Sequence, residues 1–154
     1  MRTSPITPDL VRGALELEPT ARGLVPHRLP SWARAQTDDA QLAQAEGQPA
    51  GVRVTLRTTA TVLELDVLPT KLAYSGAPPR PDGLYDLLVD GRLAGQATAG
   101  GGHVRTIDMT TGTVTFTEGP VATVRFDGLE ARDKLVEVWL PHNETTELVA
   151  LRSD

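Results

Sequence analysis

The chain has 154 residues, carries a formal charge of −5 and contains no cysteine. That length suits one domain able to bury roughly 70% of the surface its unfolded chain exposes. The missing thiols exclude disulfides, zinc–thiolate sites, iron–sulfur ligation and a cysteine nucleophile.

An acidic balance repels phosphate backbones, so nucleic acid is not an expected partner. No apolar run reaches the roughly 18 residues a membrane-spanning helix needs, so no membrane partner is expected either. The opening MRTSPITPDL lacks the apolar core of a signal peptide. A cytoplasmic location follows as the expectation, and a leader upstream would reverse it.

In chain order, residues 1–12 are expected to be flexible, and residues 13–151 to form a single β-sandwich domain. GALELE (Gly13–Glu18) and GLVPHRL (Gly23–Leu29) are two short extended pieces joined by Pro19 to Arg22. LPSWARAQ reads as a helical turn. DDAQLAQAEG combines good helix formers with an Asp38-to-Gln41 spacing that resembles a capping box, ended by Gly47 and Pro49; propensity therefore predicts a short helix there.

From Val52 onward strand follows strand. Val52, Val54 and Leu56 alternate with Arg53, Thr55 and Arg57, the period-two signature of a half-buried strand. Leu63, Leu65 and Val67 repeat the pattern in ATVLELDVLP. APPRPDG is a loop whose prolines have no N–H for a ladder. Tyr85, Leu87 and Val89 lead into Asp90-Gly91, the pair that a tight type I′ hairpin demands. TAGGGH (Thr98–His103) is expected to be a flexible hairpin loop, since strand-like sequence flanks it and a phosphate cradle would need its glycines to open a helix. HVRTIDM, TVTFTEG, VATVRFDG, KLVEVWLPH and TELVALR complete the set. The prediction is an all-β, antiparallel sandwich with at most one or two short helical turns near 31–46. Both chain ends, the first ten residues and Arg152–Asp154, are expected to fray.

The inventory of reactive side chains is thin. The serines are Ser4, Ser31, Ser75 and Ser153, and none lies in a G-x-S-x-G elbow. His27, His103 and His142 show no metal-ligand spacing, and His27 and His103 each read as a loop or surface histidine. The acids form no paired arrangement of the kind that cleaves glycosides. No complete catalytic site, metal site or cofactor site is expected on this chain. Trp139, between Val138 and Leu140, reads as core rather than as a sugar platform, whereas Trp32 lies outside the strand run and suits a contact surface. His142-Asn143-Glu144 ends an apolar strand with an imidazole and a carboxylate, either as a solvated turn after Pro141 or as a polar contact to another domain or a ligand.

Five segments in order resemble a known domain: PHRLPSWARAQ (Pro26–Gln36), PAGVRVTLRTTA (Pro49–Ala60), PDGLYDLLVDGRL (Pro81–Leu93), DMTTG (Asp108–Gly112) and VEVWLPHNETTELVALRSD (Val136–Asp154). The chain is similar over nearly its whole length to the N-terminal β-sandwich of bacterial, largely actinobacterial, GDSL/SGNH-type esterases and acyltransferases. The resemblance implies a jelly-roll, carbohydrate-binding-module-like sandwich that precedes a separate SGNH-type catalytic domain, with residues 152–154 starting the linker to it. The resemblance also favours extended structure near Leu42–Glu46, against propensity. The family's serine motif, oxyanion-hole residues and Asp-x-x-His pair are not in this sequence, so no catalytic residue carries over.

The implied function is a non-catalytic accessory domain that packs beside the active site of that partner in cis and helps shape it, with a carbohydrate or an acyl ester as the accompanying ligand. Arg28, Trp32, His142 and Glu144 lie in the shared segments and are the candidate interdomain or ligand contacts; in the isolated domain they should be exposed. The alternative is a stand-alone carbohydrate-binding module, against which the scarcity of aromatics (4%) argues. A monomer is the default, although uncovered edge strands offer a route to dimers.

Overall fold

Asp90 and Gly91 adopt φ of 48° and 77°, the left-handed pair expected of a type I′ turn. In the computed structural model of Met1–Asp154 they join the two strands that flank them, and the remaining strands follow the alternation of the sequence. The elements are β1 (Arg2–Pro5), β2 (Val11–Arg12), β3 (Glu16–Pro19), β4 (Leu24–His27), α1 (Ser31–Arg34), α2 (Ala40–Gly47), β5 (Arg53–Thr58), β6 (Leu63–Tyr74), β7 (Leu84–Val89), β8 (Arg92–Thr98), β9 (His103–Ile107), β10 (Val114–Thr117), β11 (Ala122–Phe126), β12 (Lys134–Trp139) and β13 (Thr145–Ser153). No helix is long and apolar enough to cross a membrane.

Two sheets face each other. The five-stranded sheet runs β2-β5-β12-β7-β8 and the eight-stranded one runs β10-β9-β6-β13-β4-β3, with β1 added beside β13 and β11 beside β6. Val54, Val136, Val138, Tyr85 and Leu87 from one sheet and Leu63, Leu65, Val67, Val124 and Leu148 from the other are essentially inaccessible to solvent. Each such side chain contributes roughly 1.5–3 kcal/mol on burial, so this two-sided core is the main source of cohesion.

The long strand β6 departs from the sequence reading, which ended it at Pro69. Along one edge it pairs with β13. Along the other it pairs antiparallel with β11 over Leu63–Val67 and then parallel with β9 over Thr70–Tyr74. Pro69, which has no N–H to give a ladder, sits at the gap between those two partners. The parallel pair arises because Gly100–Gly102 is a crossing from the five-stranded to the eight-stranded sheet, and not a hairpin loop as expected. The crossing is tightly built. Gly102 has φ of +97° and donates its N–H to the Pro120 carbonyl (2.8 Å). A Cβ on it would lie 2.3 Å from the Pro69 carbonyl oxygen, and one on Gly119 would lie 1.8 Å from that of Gly102.

Two further expectations are corrected. The chain ends are paired strands and not loose coil: Arg2–Pro5 pairs in register with Ala150–Ser153. The Asp154 carboxylate accepts from Thr61 N–H (2.8 Å), Val62 N–H (3.0 Å) and the Thr61 hydroxyl. These hydrogen bonds, led by the Thr61 hydroxyl, draw its carboxyl down to about 2. Residues 40–47 are helical, as propensity indicates, and not extended as the resemblance implied. The N-cap is Asp39 rather than Asp38; its side chain accepts from Gln41 N–H (2.9 Å) and Leu42 N–H (3.2 Å).

Because Gly102 combines a left-handed φ with a closed approach, Gly102→Ala should lower unfolding free energy by about 2–4 kcal/mol. Gly100→Ala, where an added Cβ meets nothing within 4 Å, should change it by less than about 0.5 kcal/mol. Urea denaturation of the two variants checks the contrast, and equal losses would show that the crossing is not the tight point.

Candidate functional site

Helix α2 lies across the outer face of the eight-stranded sheet, next to β4 and β13. It is tethered by an acid–histidine–acid chain. His27 Nδ1 meets Glu46 Oε1 and Nε2 meets Glu18 Oε2, each at 2.7 Å. Glu46 also takes the Leu29 N–H on its other oxygen (3.4 Å), and its carbonyl accepts from Arg28 N–H (3.4 Å). Both nitrogens of a buried imidazole are thus engaged, and His27 is a structural clamp rather than the surface histidine of the sequence reading.

Beside α2 the sheet forms a floor in three cross-strand rows. The register aligns Thr145 with Thr70 and His103, Leu72 with Arg105 and Phe116, and Tyr74 with Ile107 and Val114. His103 and Phe116 pack with ring centroids 5.0 Å apart. Between helix and floor runs a groove of two connected hollows, about 290 and 520 Å³, which share Gln44, Gln48, Leu72 and Arg105. Volumes of a few hundred Å³ are typical of small-molecule sites. At one end the groove reaches His27 and Glu46, and at the other Arg80, Met109 and Val114.

Glu144 closes a small hollow next to the groove, with Lys71, Arg80 and Asn143. Only 4% of its surface is accessible. One carboxylate oxygen accepts the Gly83 N–H and the other has no hydrogen-bond partner. Burial raises its carboxyl above the ordinary glutamate value, against the opposing effects of the Gly83 N–H and the nearby Lys71. Lys71 itself donates to Asp82 (2.6 Å) and to the Ala99 carbonyl (2.9 Å). The buried Tyr85 hydroxyl also lacks a hydrogen-bond partner, and burial drives its phenol well above the ordinary range.

The four residues singled out from sequence are not gathered in one patch. Arg28 is exposed and donates to the Ala45 carbonyl of α2 (2.7 Å). Trp32, on α1, is 68% exposed. Neither lines the groove. His142 is exposed on the turn between β12 and β13, beside a hollow of about 580 Å³ on the outer face of the five-stranded sheet. Glu144, expected at the surface, is buried because the Gly83 backbone, with no side chain in the way, approaches its carboxylate. Trp139 is also corrected: it is half-buried on that outer face, with Arg53 stacked 4.6 Å from its ring centroid, and is not core. The groove residues Lys71, Leu72, Tyr74 and Arg105 escaped the sequence reading. Strand β6 seemed to stop at Pro69, and Arg105 looks like any other outward-facing arginine of an alternating strand.

A glutamate whose folded value is raised favours its neutral form in the fold. Its stabilising contribution is present below the unfolded value of about 4.3 and is lost as pH rises through the folded value. Glu144→Gln removes that dependence. The Tm of Glu144→Gln minus that of the parent should therefore be more positive at pH 7 than at pH 4, and a difference that stays constant across the range would contradict the assignment.

No protein-family model and no curated protein matches this chain. Among solved structures it is similar to the salicylyl-acyltransferase SsfX3 from a tetracycline biosynthetic pathway, with a TM-score of 0.73 and 27% sequence identity. The similarity covers 100% of this chain and 40% of that one. The two share a fold, and this chain spans less than half of its neighbour's length.

Proposed function

We propose that this chain is a non-catalytic accessory domain of a protein that transfers or hydrolyses acyl esters, and that an SGNH-type catalytic domain is its partner in cis. The observation that carries the reading is the lopsided coverage: all of this chain superimposes on 40% of an acyltransferase. The side-chain inventory supports it. Both nitrogens of the buried His27 meet carboxylates instead of a serine hydroxyl, and the chain offers few other groups suited to acyl chemistry. Arg28, Trp32 and His142, all exposed, are the proposed contacts to the partner domain, since Arg and Trp carry much of the energy at protein interfaces.

One observation favours a second reading, a carbohydrate-binding module. Trp139 lies beside the hollow on the five-stranded sheet together with Asp82, Asp86 and His142, groups that can accept sugar hydroxyls. One ring face is already taken by Arg53, so the platform is poorer than an open indole.

Hydrolysis of p-nitrophenyl acetate by residues 1–154 and by the chain extended through the downstream coding sequence separates the readings. The accessory reading expects turnover only from the extended protein, and Trp32→Ala in that protein should lower kcat/KM without abolishing it. Turnover by residues 1–154 alone would overturn it. Saturable binding of xylo-oligosaccharides, lost in Trp139→Ala, would move the assignment to the carbohydrate module.

A further inference from the structure

We propose that the groove between α2 and the β6–β9–β10 floor binds a small organic anion with a flat or aliphatic body, its carboxylate held by Arg105 and Arg80. The argument begins with an imbalance of charge. The half-buried arginines of the chain are Arg34, Arg53, Arg105 and Arg152. Arg34 pairs with Glu16, Arg53 with Glu137, and Arg152 with Glu64 and Asp66. Arg105 alone has neither a carboxylate nor a carbonyl acceptor. A half-buried guanidinium with no internal acceptor, its polar end open to a groove, is placed to take a carboxylate bidentately.

The lining fits the same class of ligand. The wider hollow, about 520 Å³, holds Arg80 and Arg105 and no acidic residue, in a chain whose net charge is −5. Arg80 is exposed at the rim and also has no acidic partner. The floor under these cations is apolar, made of Leu72, Tyr74, Ile107 and Val114. Met109 stands 74% exposed at the edge, where a flexible thioether can close over a ligand. On the wall, Gln41 and Gln44 of α2 and Gln48 just after it offer amides that can meet polar substituents. A neutral sugar would leave both guanidinium groups unanswered. A phosphate without an apolar body would leave the floor wet. An apolar carboxylate satisfies both.

The site belongs to the isolated domain, so its test needs no catalytic partner and is independent of the accessory-domain reading. Uniformly ¹⁵N- and methyl-¹³C-labelled residues 1–154 are titrated with 2-naphthoate and, separately, with its neutral isostere 2-naphthamide. The expected result is saturable shifts at Leu72, Ile107, Met109 and Val114, with naphthoate binding about tenfold more tightly than the amide, the scale of one charge-assisted hydrogen bond. Arg105→Gln should bring naphthoate most of the way down to the affinity of the amide, and Arg105→Gln with Arg80→Gln should remove the difference. Arg105→Gln removes no internal hydrogen bond or ion pair, and an unchanged Tm will verify the fold. Tyr74→Ala should weaken both probes alike. Equal binding of acid and amide would overturn the proposal. So would an absence of saturable shifts up to the solubility limit, shifts centred on Trp139, or a naphthoate preference undiminished in Arg105→Gln.

Discussion

At Pro69 one strand changes partners, and the groove depends on that change. Up to Val67 β6 is an ordinary inner strand between β13 and β11. Beyond Pro69 its last five paired residues, Thr70–Tyr74, run parallel to β9. A parallel pair cannot be made by a tight turn and requires the chain to travel elsewhere first. Here the intervening chain goes through β7 and β8 in the other sheet and returns across Gly100–Gly102. That return is possible because glycines let three backbones close to distances that no Cβ tolerates. Without it the rows Leu72–Arg105–Phe116 and Tyr74–Ile107–Val114 would not exist, and α2 would face a narrower sheet.

The second wall is held by a different kind of force. Helix α2 has eight residues, too short to be stable in isolation. Asp39 caps its start, and near its end Glu46 is held by His27, which is itself backed by Glu18. A buried carboxylate is costly unless it is paired and hydrogen-bonded, and Glu46 has both. The helix is thus closed at its start by its own cap and fixed near its end to β4, which defines one wall of the groove before any ligand arrives.

Toward the other end of the eight-stranded sheet charges are arranged to cancel. Across β11, β6 and β13 the row Arg125–Glu64–Arg152 alternates in sign, and Arg152 also reaches Asp66. The Arg125 hydrogen bond and the two guanidinium charges hold the Glu64 carboxyl below its ordinary value. Rows of this kind mark a solvated sheet face that needs no partner. The contrast with Arg105, equally withdrawn from water yet without an anion, singles out the groove end of the same sheet as the place for chemistry from outside.

What the sequence by itself determined was local. Period-two alternation placed Val54, Leu65 and Leu87 on inward faces, and Asp90-Gly91 specified its own turn because left-handed φ at both positions is open to few residue pairs. The helix at 40–47 followed from an aspartate cap and helix-forming residues, although the resemblance pointed the other way. Tertiary structure decided everything that depends on which edge meets which: the parallel pairing of Thr70 with His103, the zipping of Arg2–Pro5 onto Ala150–Ser153, the burial of Glu144 beneath Gly83 and the isolation of Arg105. Alternation encodes the face a side chain takes but carries no information about the neighbouring strand. An arginine lacking an acceptor is a property of all the elements around it, so it becomes visible only once the two sheets and the helix are in place.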